Sequence, residues 1–319
     1  MKIFEKIKAF FFGKKTKALP ENGIEIDKIS LMAITEKNSE NVLNILKNYG
    51  SEMKSESIVN IISHLPLDRR VEAIEICDKY IIPYDLAELA LKKLDYRGKI
   101  AVLEKYQDRL DLEDIYHLLD NIPPDQRKIA LDKCVDSLDS VSISEIIKNY
   151  IPLYERLDCL NAYYEKLDGY SKASIIEVLD SDRKIEALKK YVKEISKLDL
   201  MDIVCETETN RIPELLEIVY DKLTSKQIMD IIQYYVPDEK KLETMYKCCS
   251  NLDSATISDL IKYVIPEGQK EEALIAMQNR IKSNNIGDIL QFCVKSVKAL
   301  KKVQHNLEPE DVEYFKKNL

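Results

Sequence analysis

The feature that most constrains this chain is a turn position that recurs every 28 or 29 residues. Taking proline as the marker, the positions are Pro66, Asp95, Pro123, Pro152, Asp180, Glu208, Pro237, Pro266 and, more loosely, Lys295. Chance does not place five prolines in one such frame. A strict period of this length is the mark of stacked supersecondary units, each unable to bury its apolar face alone.

Columns built on this anchor show what each unit is. Five residues before it stand Ile61, Ala90, Leu118, Ile147, Ile175, Ile203, Ile232, Ile261 and Leu290. Eight after it stand Ile74, Leu103, Leu131, Leu160, Leu188, Leu216, Met245, Leu274 and Val303, and fifteen after it Ile81, Leu110, Leu138, Leu167, Ile195, Leu223, Leu252 and Ile281. Offsets of four and seven within each segment are those of one helix face. The unit is therefore a helix A, a proline-marked turn and a helix B. Proline ends helix A because it cannot donate to it. Asp68, Asp125, Asp182 and Asn210 are expected to start helix B, and Asp111, Asp139, Asp168, Ser196, Thr224 and Asp253 to cap the next helix A. The column eleven after the anchor (Cys77, Tyr106, Cys134, Tyr163, Tyr191, Val219, Cys248, Met277) reads as core.

The expected fold is all-α: an α-solenoid, or superhelix, of stacked two-helix repeats. Clear repeats run from about 54 to 281 within a single domain spanning 25–319, with degenerate hairpins as N- and C-terminal caps. The architecture resembles the HEAT and armadillo class of α-solenoids, although 28–29 residues is short for either. Segments such as KQIMDIIQYYVPDEKKLETMYKCC are similar to transcription-activator-like effector repeats, which read DNA bases, but lack the glycine pair those repeats carry between their helices.

Composition narrows the function. With 7 glycines in 319 residues there is little room for phosphate-cradling loops. No HExxH, GxSxG, P-loop or GxGxxG motif occurs, and His64, His117 and His305 sit in unrelated frames. The chain is not expected to be an enzyme or to bind a cofactor or metal. The seven cysteines form no CxxC pair, which suits a reduced, cytoplasmic protein. Residues 1–18 carry a net +5 and the remainder −13, so net charge argues against generic nucleic-acid binding.

Two features are candidates for contact with partners. The first is a basic column four after the anchor: Arg70, Lys99, Arg127, Arg156, Lys184, Lys241 and Lys270, broken by Ile212. It lies in the first turn of helix B, where the helix dipole disfavours a cation. Either it lines a groove and grips an acidic partner, or it pairs with the acidic column of Glu72, Asp158, Glu186, Glu214, Glu243 and Glu272 on neighbouring helices, at ~0–1 kcal/mol for each exposed pair. The second is the basic amphipathic segment 1–18, followed by a linker at 19–24. Its Ile3, Phe4, Ile7, Phe10 and Phe11 share one helical face, suited to an anionic membrane surface or to covering the end of the solenoid. The function expected is a non-catalytic scaffold or adaptor holding an extended or helical protein partner in a superhelical groove. The alternative is a nucleic-acid binder using the basic column for phosphate contacts.

Overall fold

A computed structural model of the chain describes residues 26–318. Among these residues the regular structure is all helical. Contacts divide the chain into two compact units that meet in sequence at Pro123–Pro124. The first nine-residue to eleven-residue A helices are Ser55–His64, Pro83–Lys93 and Leu112–Asp120 in the first unit. In the second they are Ser140–Asn149, Gly169–Glu177, Lys197–Cys205 and Ser225–Tyr234, then Ser254–Asp259 and Ser283–Ile289, which continue as π turns Leu260–Val264 and Leu290–Val294. The B helices follow each anchor, from Leu67–Cys77 to Val297–Val303. We number the hairpins one to nine by their anchors, Pro66 to Lys295.

Within each unit, like packs on like. Helix A of one hairpin contacts helix A of the next, and B contacts B, as in Ser55–His64 on Pro83–Lys93 and Ser181–Tyr191 on Ile212–Val219. The columns explain why. Every residue of the five-before and eight-after columns is buried, at 1 % exposure or less. The fifteen-after column is buried except for Leu138, which is half-buried. The eleven-after column is buried throughout, including Cys77, Cys134 and Cys248. Burial pushes the thiols of Cys77, Cys134, Cys159 and Cys248 up to about 12, so they act as small apolar groups.

The caps divide into a confirmed set and a corrected one. Asp111, Asp139, Asp168, Ser196, Thr224 and Asp253 each accept a hydrogen bond from the backbone N–H three residues on, and Thr224 completes a capping box with Gln227. The expected starts of helix B at Asp68, Asp125, Asp182 and Asn210 are not the N-caps; Asp68 and Asp182 lie inside the first turn. In five of the hairpins the anchor itself starts helix B. Pro66, Pro152 and Pro237 are N-caps with φ near −55° and extended ψ, and their carbonyls accept from Arg69, Glu155 and Lys240 at 3.0, 2.9 and 2.9 Å. Where aspartate replaces proline, its side chain takes over: Asp95 accepts from Gly98 N–H and Asp180 from Arg183 N–H. Pro and Asp alternate in the column because each supplies an extended residue that begins a helix, one by ring constraint and one by side-chain capping.

Side chains also bond the hairpins to each other through the backbone. A serine at the start of helix A accepts from the N–H that opens the next hairpin: Ser140 from Asp168, Ser225 from Asp253 and Ser254 from Lys282, at 2.8–3.0 Å. Gly169 occupies this position in hairpin five, where an added Cβ would lie 2.4 Å from the Glu194 carbonyl oxygen. Near the end of helix B, Arg109 donates to the Asp78 carbonyl, Asn251 to that of Tyr220 and Arg280 to that of Ser250. At the C-terminal end, Phe315 on Pro309–Asn318 is buried beside Gly287. Thr207, one residue before its anchor where the other hairpins have Leu, Ile or Val, is buried with its hydroxyl donating to the Ile203 carbonyl at 2.7 Å.

Candidate interaction surface

The basic column makes contacts within the protein. Five of its members reach the last carbonyls of the next helix A. Arg70 donates to the Lys93 carbonyl, Lys99 to Asn121 at 3.4 Å, Arg127 to Tyr150 at 3.1 Å, Arg156 to Val178 at 3.3 Å and Lys184 to Glu206 at 2.7 Å. All five acceptors stand two residues before the next anchor, at or beside a helix C-cap. Those carbonyls have no partner within the helix and carry the negative end of its dipole, so a cation there is favoured. Lys99 and Lys184 are buried, and burial lowers the pKa of both. Arg70 and Arg156 also hold their own helix A, through the Leu65 and Ile151 carbonyls. Lys241 and Lys270 instead pair with Asp238 and Glu267, three residues earlier, at 2.7 and 2.8 Å. The A helices that follow these two lysines are the ones that end as π turns.

The acidic column is engaged elsewhere: Glu72 with Arg69, Glu214 with Arg211 and Glu243 with Lys247. Exposed ladders between hairpins come from other positions, such as Lys247 with Glu217 at 2.5 Å. The membrane-contact candidates Ile3, Phe4, Ile7, Phe10 and Phe11 lie outside the described residues. Among the described residues, no helix is long and apolar enough to cross a membrane, and no group of three His, Cys, Asp or Glu is placed to hold a metal ion.

What the A helices do present is a set of large apolar side chains turned to solvent. Tyr84, Tyr170 and Leu198 sit in their first turns, all more than 60 % exposed. Near their C-terminal ends, three residues before successive anchors, stand Tyr234, Tyr263 and Phe292, at 69, 75 and 66 %. These three share one frame in hairpins seven to nine. Their helices are neighbours, Ser225–Tyr234 against Ser254–Asp259 and that helix against Ser283–Ile289. One turn earlier on the same face come Asp230, Asp259 and Asp288. Sequence reasoning keyed on buried columns passes over this ladder. Its signal is the same frame read for exposed residues: an aromatic three before the anchor with an aspartate four before the aromatic.

Further along, a shallow groove between Gly169–Glu177 and Lys197–Cys205 is lined by Tyr170, Glu177, Asp199 and Asp202. It joins the same two chemistries, an aromatic ring and carboxylates. No family model, curated protein or solved structure matches this chain.

Proposed function

We propose that the chain is a non-catalytic binding scaffold, an α-solenoid that holds an extended or helical protein partner along the face shared by its A helices. The observation that carries this reading is the exposure of Tyr170, Leu198, Tyr234, Tyr263 and Phe292, all within the second unit, on helices whose opposite faces are buried. Large apolar side chains that the core does not use are candidates for contact with a partner, and a series of like helices offers the same contact at regular steps. The nucleic-acid alternative gains nothing from the basic column. Its charges end on backbone carbonyls and nearby carboxylates, so they are already engaged where phosphates would have to compete.

A photo-crosslinking phenylalanine analogue tests the reading in the native host. Placed at positions 170, 198 and 263 on the A helices, it should give discrete protein adducts. Placed at exposed B-helix positions 129 and 154, it should not. Equal labelling from both faces, or none from the A face, would overturn the scaffold.

A further inference from the structure

Hairpin eight contains its own cation beside the exposed aromatic. Lys262 Nζ lies 3.2 Å from Asp259 Oδ1 and 5.4 Å from the centroid of the Tyr263 ring. A carboxylate and a ring face together hold one ammonium, within the range of a cation–π contact. The same three-part arrangement recurs elsewhere among the described residues: Lys172 lies 3.8 Å from the Tyr164 ring centroid and pairs with Glu194.

The hairpins on either side have the carboxylate and the ring but not the cation. The frame position of Lys262 is Gln233 in hairpin seven and Gln291 in hairpin nine. Asp230 and Asp288 have no ion-pair partner among the described residues. Tyr234 and Phe292 are about two-thirds exposed. The fold does not require aromatics there. The same position holds Ser63, Lys92, Asp120, Asn149, Glu177 and Cys205 in hairpins one to six, whose five-before and eight-after columns are just as well buried. The feature is therefore confined to three consecutive hairpins and is separable from their packing.

We propose that hairpins seven to nine form a docking site for a basic, extended segment of a protein partner. One Lys or Arg of that segment sits against Asp230 and Tyr234, and another against Asp288 and Phe292. This rests on the scaffold reading and names the chemistry of the partner. The two sites are two helix steps apart, roughly 16–20 Å at helix spacings of 8–10 Å. An extended chain covers that distance in about five or six residues. In a polyproline II segment, at about 3.1 Å per residue, residues i, i+3 and i+6 share one face, so the partner's two cations are spaced i, i+6. Lys262 fills the middle step itself and leaves only the outer two for the partner.

Fluorescein-labelled 14-residue peptides, neutral except for two arginines, test this by anisotropy on the full chain at low salt. Peptides with i, i+6 arginines should bind at least tenfold more tightly than the same peptides with glutamine in place of arginine, and more tightly than one with adjacent arginines. Gln233→Lys with Gln291→Lys supplies internal cations and should weaken binding at least tenfold. The fold is expected to tolerate both changes, since lysine already occupies this frame position in hairpin eight, and an unchanged thermal melt checks that. Lys262→Gln should open a third site and strengthen binding of a peptide with a further arginine midway. The proposal is overturned if arginine and glutamine peptides bind alike, or if the double lysine variant binds as the parent does. If a crosslinker at position 263 still captures a partner protein while the arginine peptides do not bind, this proposal fails and the scaffold reading stands.

Discussion

The ammonium of Lys184 lies 2.7 Å from the carbonyl oxygen of Glu206, joining the first turn of one helix B to the C-cap of the next helix A. Lys184 is 3 % exposed, so its side chain is withdrawn from water, whereas Glu206 is exposed. Lys184→Met keeps the apolar stem and removes the donor. We expect it to destabilise the protein by about 1.5–3 kcal/mol, the range for a hydrogen bond from a charged donor. Lys241→Met, at the same frame position but paired with exposed Asp238, should cost less than about 1 kcal/mol. Urea denaturation of both variants checks the contrast, and equal losses would refute the carbonyl contact as a source of stability.

Acid should weaken the A-helix caps together. A backbone N–H donated by Ser171 holds the Asp168 carboxyl below its ordinary range, and one donated by Thr256 does so for Asp253; for Asp139 the Ser142 side chain and N–H act together. A carboxyl with a depressed folded pKa contributes stability that is whole above its unfolded value, about 3.9, and is lost as pH falls through the folded value. The urea midpoint should therefore fall between pH 4 and pH 2. Asn at all three positions keeps a capping acceptor but cannot titrate, so that variant should show a shallower fall. An unchanged slope would place the acid sensitivity elsewhere.

Two glycines should respond oppositely to alanine. At Gly169 a Cβ would meet the Glu194 carbonyl oxygen at 2.4 Å, a backbone atom that yields only if hairpin five shifts against its own B-helix end. Gly169→Ala should cost about 1–3 kcal/mol. At Gly268 a Cβ has nothing within 4 Å, and the residue lies in the helical turn Glu267–Gln269. Gly268→Ala should be neutral or stabilising by up to about 1 kcal/mol, through the unfolded state. Thermal melts of the pair measure this directly.

The thiols should divide by burial. Cys77, Cys134, Cys159 and Cys248 are fully buried, with their thiols pushed up to about 12, while Cys205, Cys249 and Cys293 are half-buried. A thiol reagent at pH 8 should modify only the second group in the native protein and reach the first group on unfolding. Rapid native labelling of Cys134 or Cys248 would contradict their place in the core.

Much of the fold was legible because burial leaves a residue-type trace. Ile74 through Val303 are aliphatic or Met at every step, and Asp or Ser and Thr mark the A-helix caps. The bonds between hairpins leave half a trace at most. The donors Arg70 to Lys184 formed a visible column, but their acceptors belong to Lys93, Asn121, Tyr150, Val178 and Glu206, five residue types with nothing in common. A backbone carbonyl has no letter in a sequence, so a ladder of cations without visible anions invites the thought of an absent partner. The start of helix B was misplaced for a related reason. Proline was given the role of stopping helix A, whereas its carbonyl and extended ψ also begin the next helix. The surface ladder of Tyr234, Tyr263 and Phe292 was visible in the letters but became distinguishable from core only through exposure.

The indifference of those carbonyls bears on how such a chain changes length. A donor that needs only a main-chain oxygen imposes no matching residue on its neighbour, so a hairpin of this type could be followed by any other of its type. Duplication or loss of a whole 28- or 29-residue segment among the five hairpins that use such a donor would leave each donor with a carbonyl, whereas an insertion of a few residues would misplace each donor after it. Recombination between hairpins is then a gentle change and small frame slips are severe ones, and new surface chemistry, such as three aromatics in succession, can spread along the chain by copying.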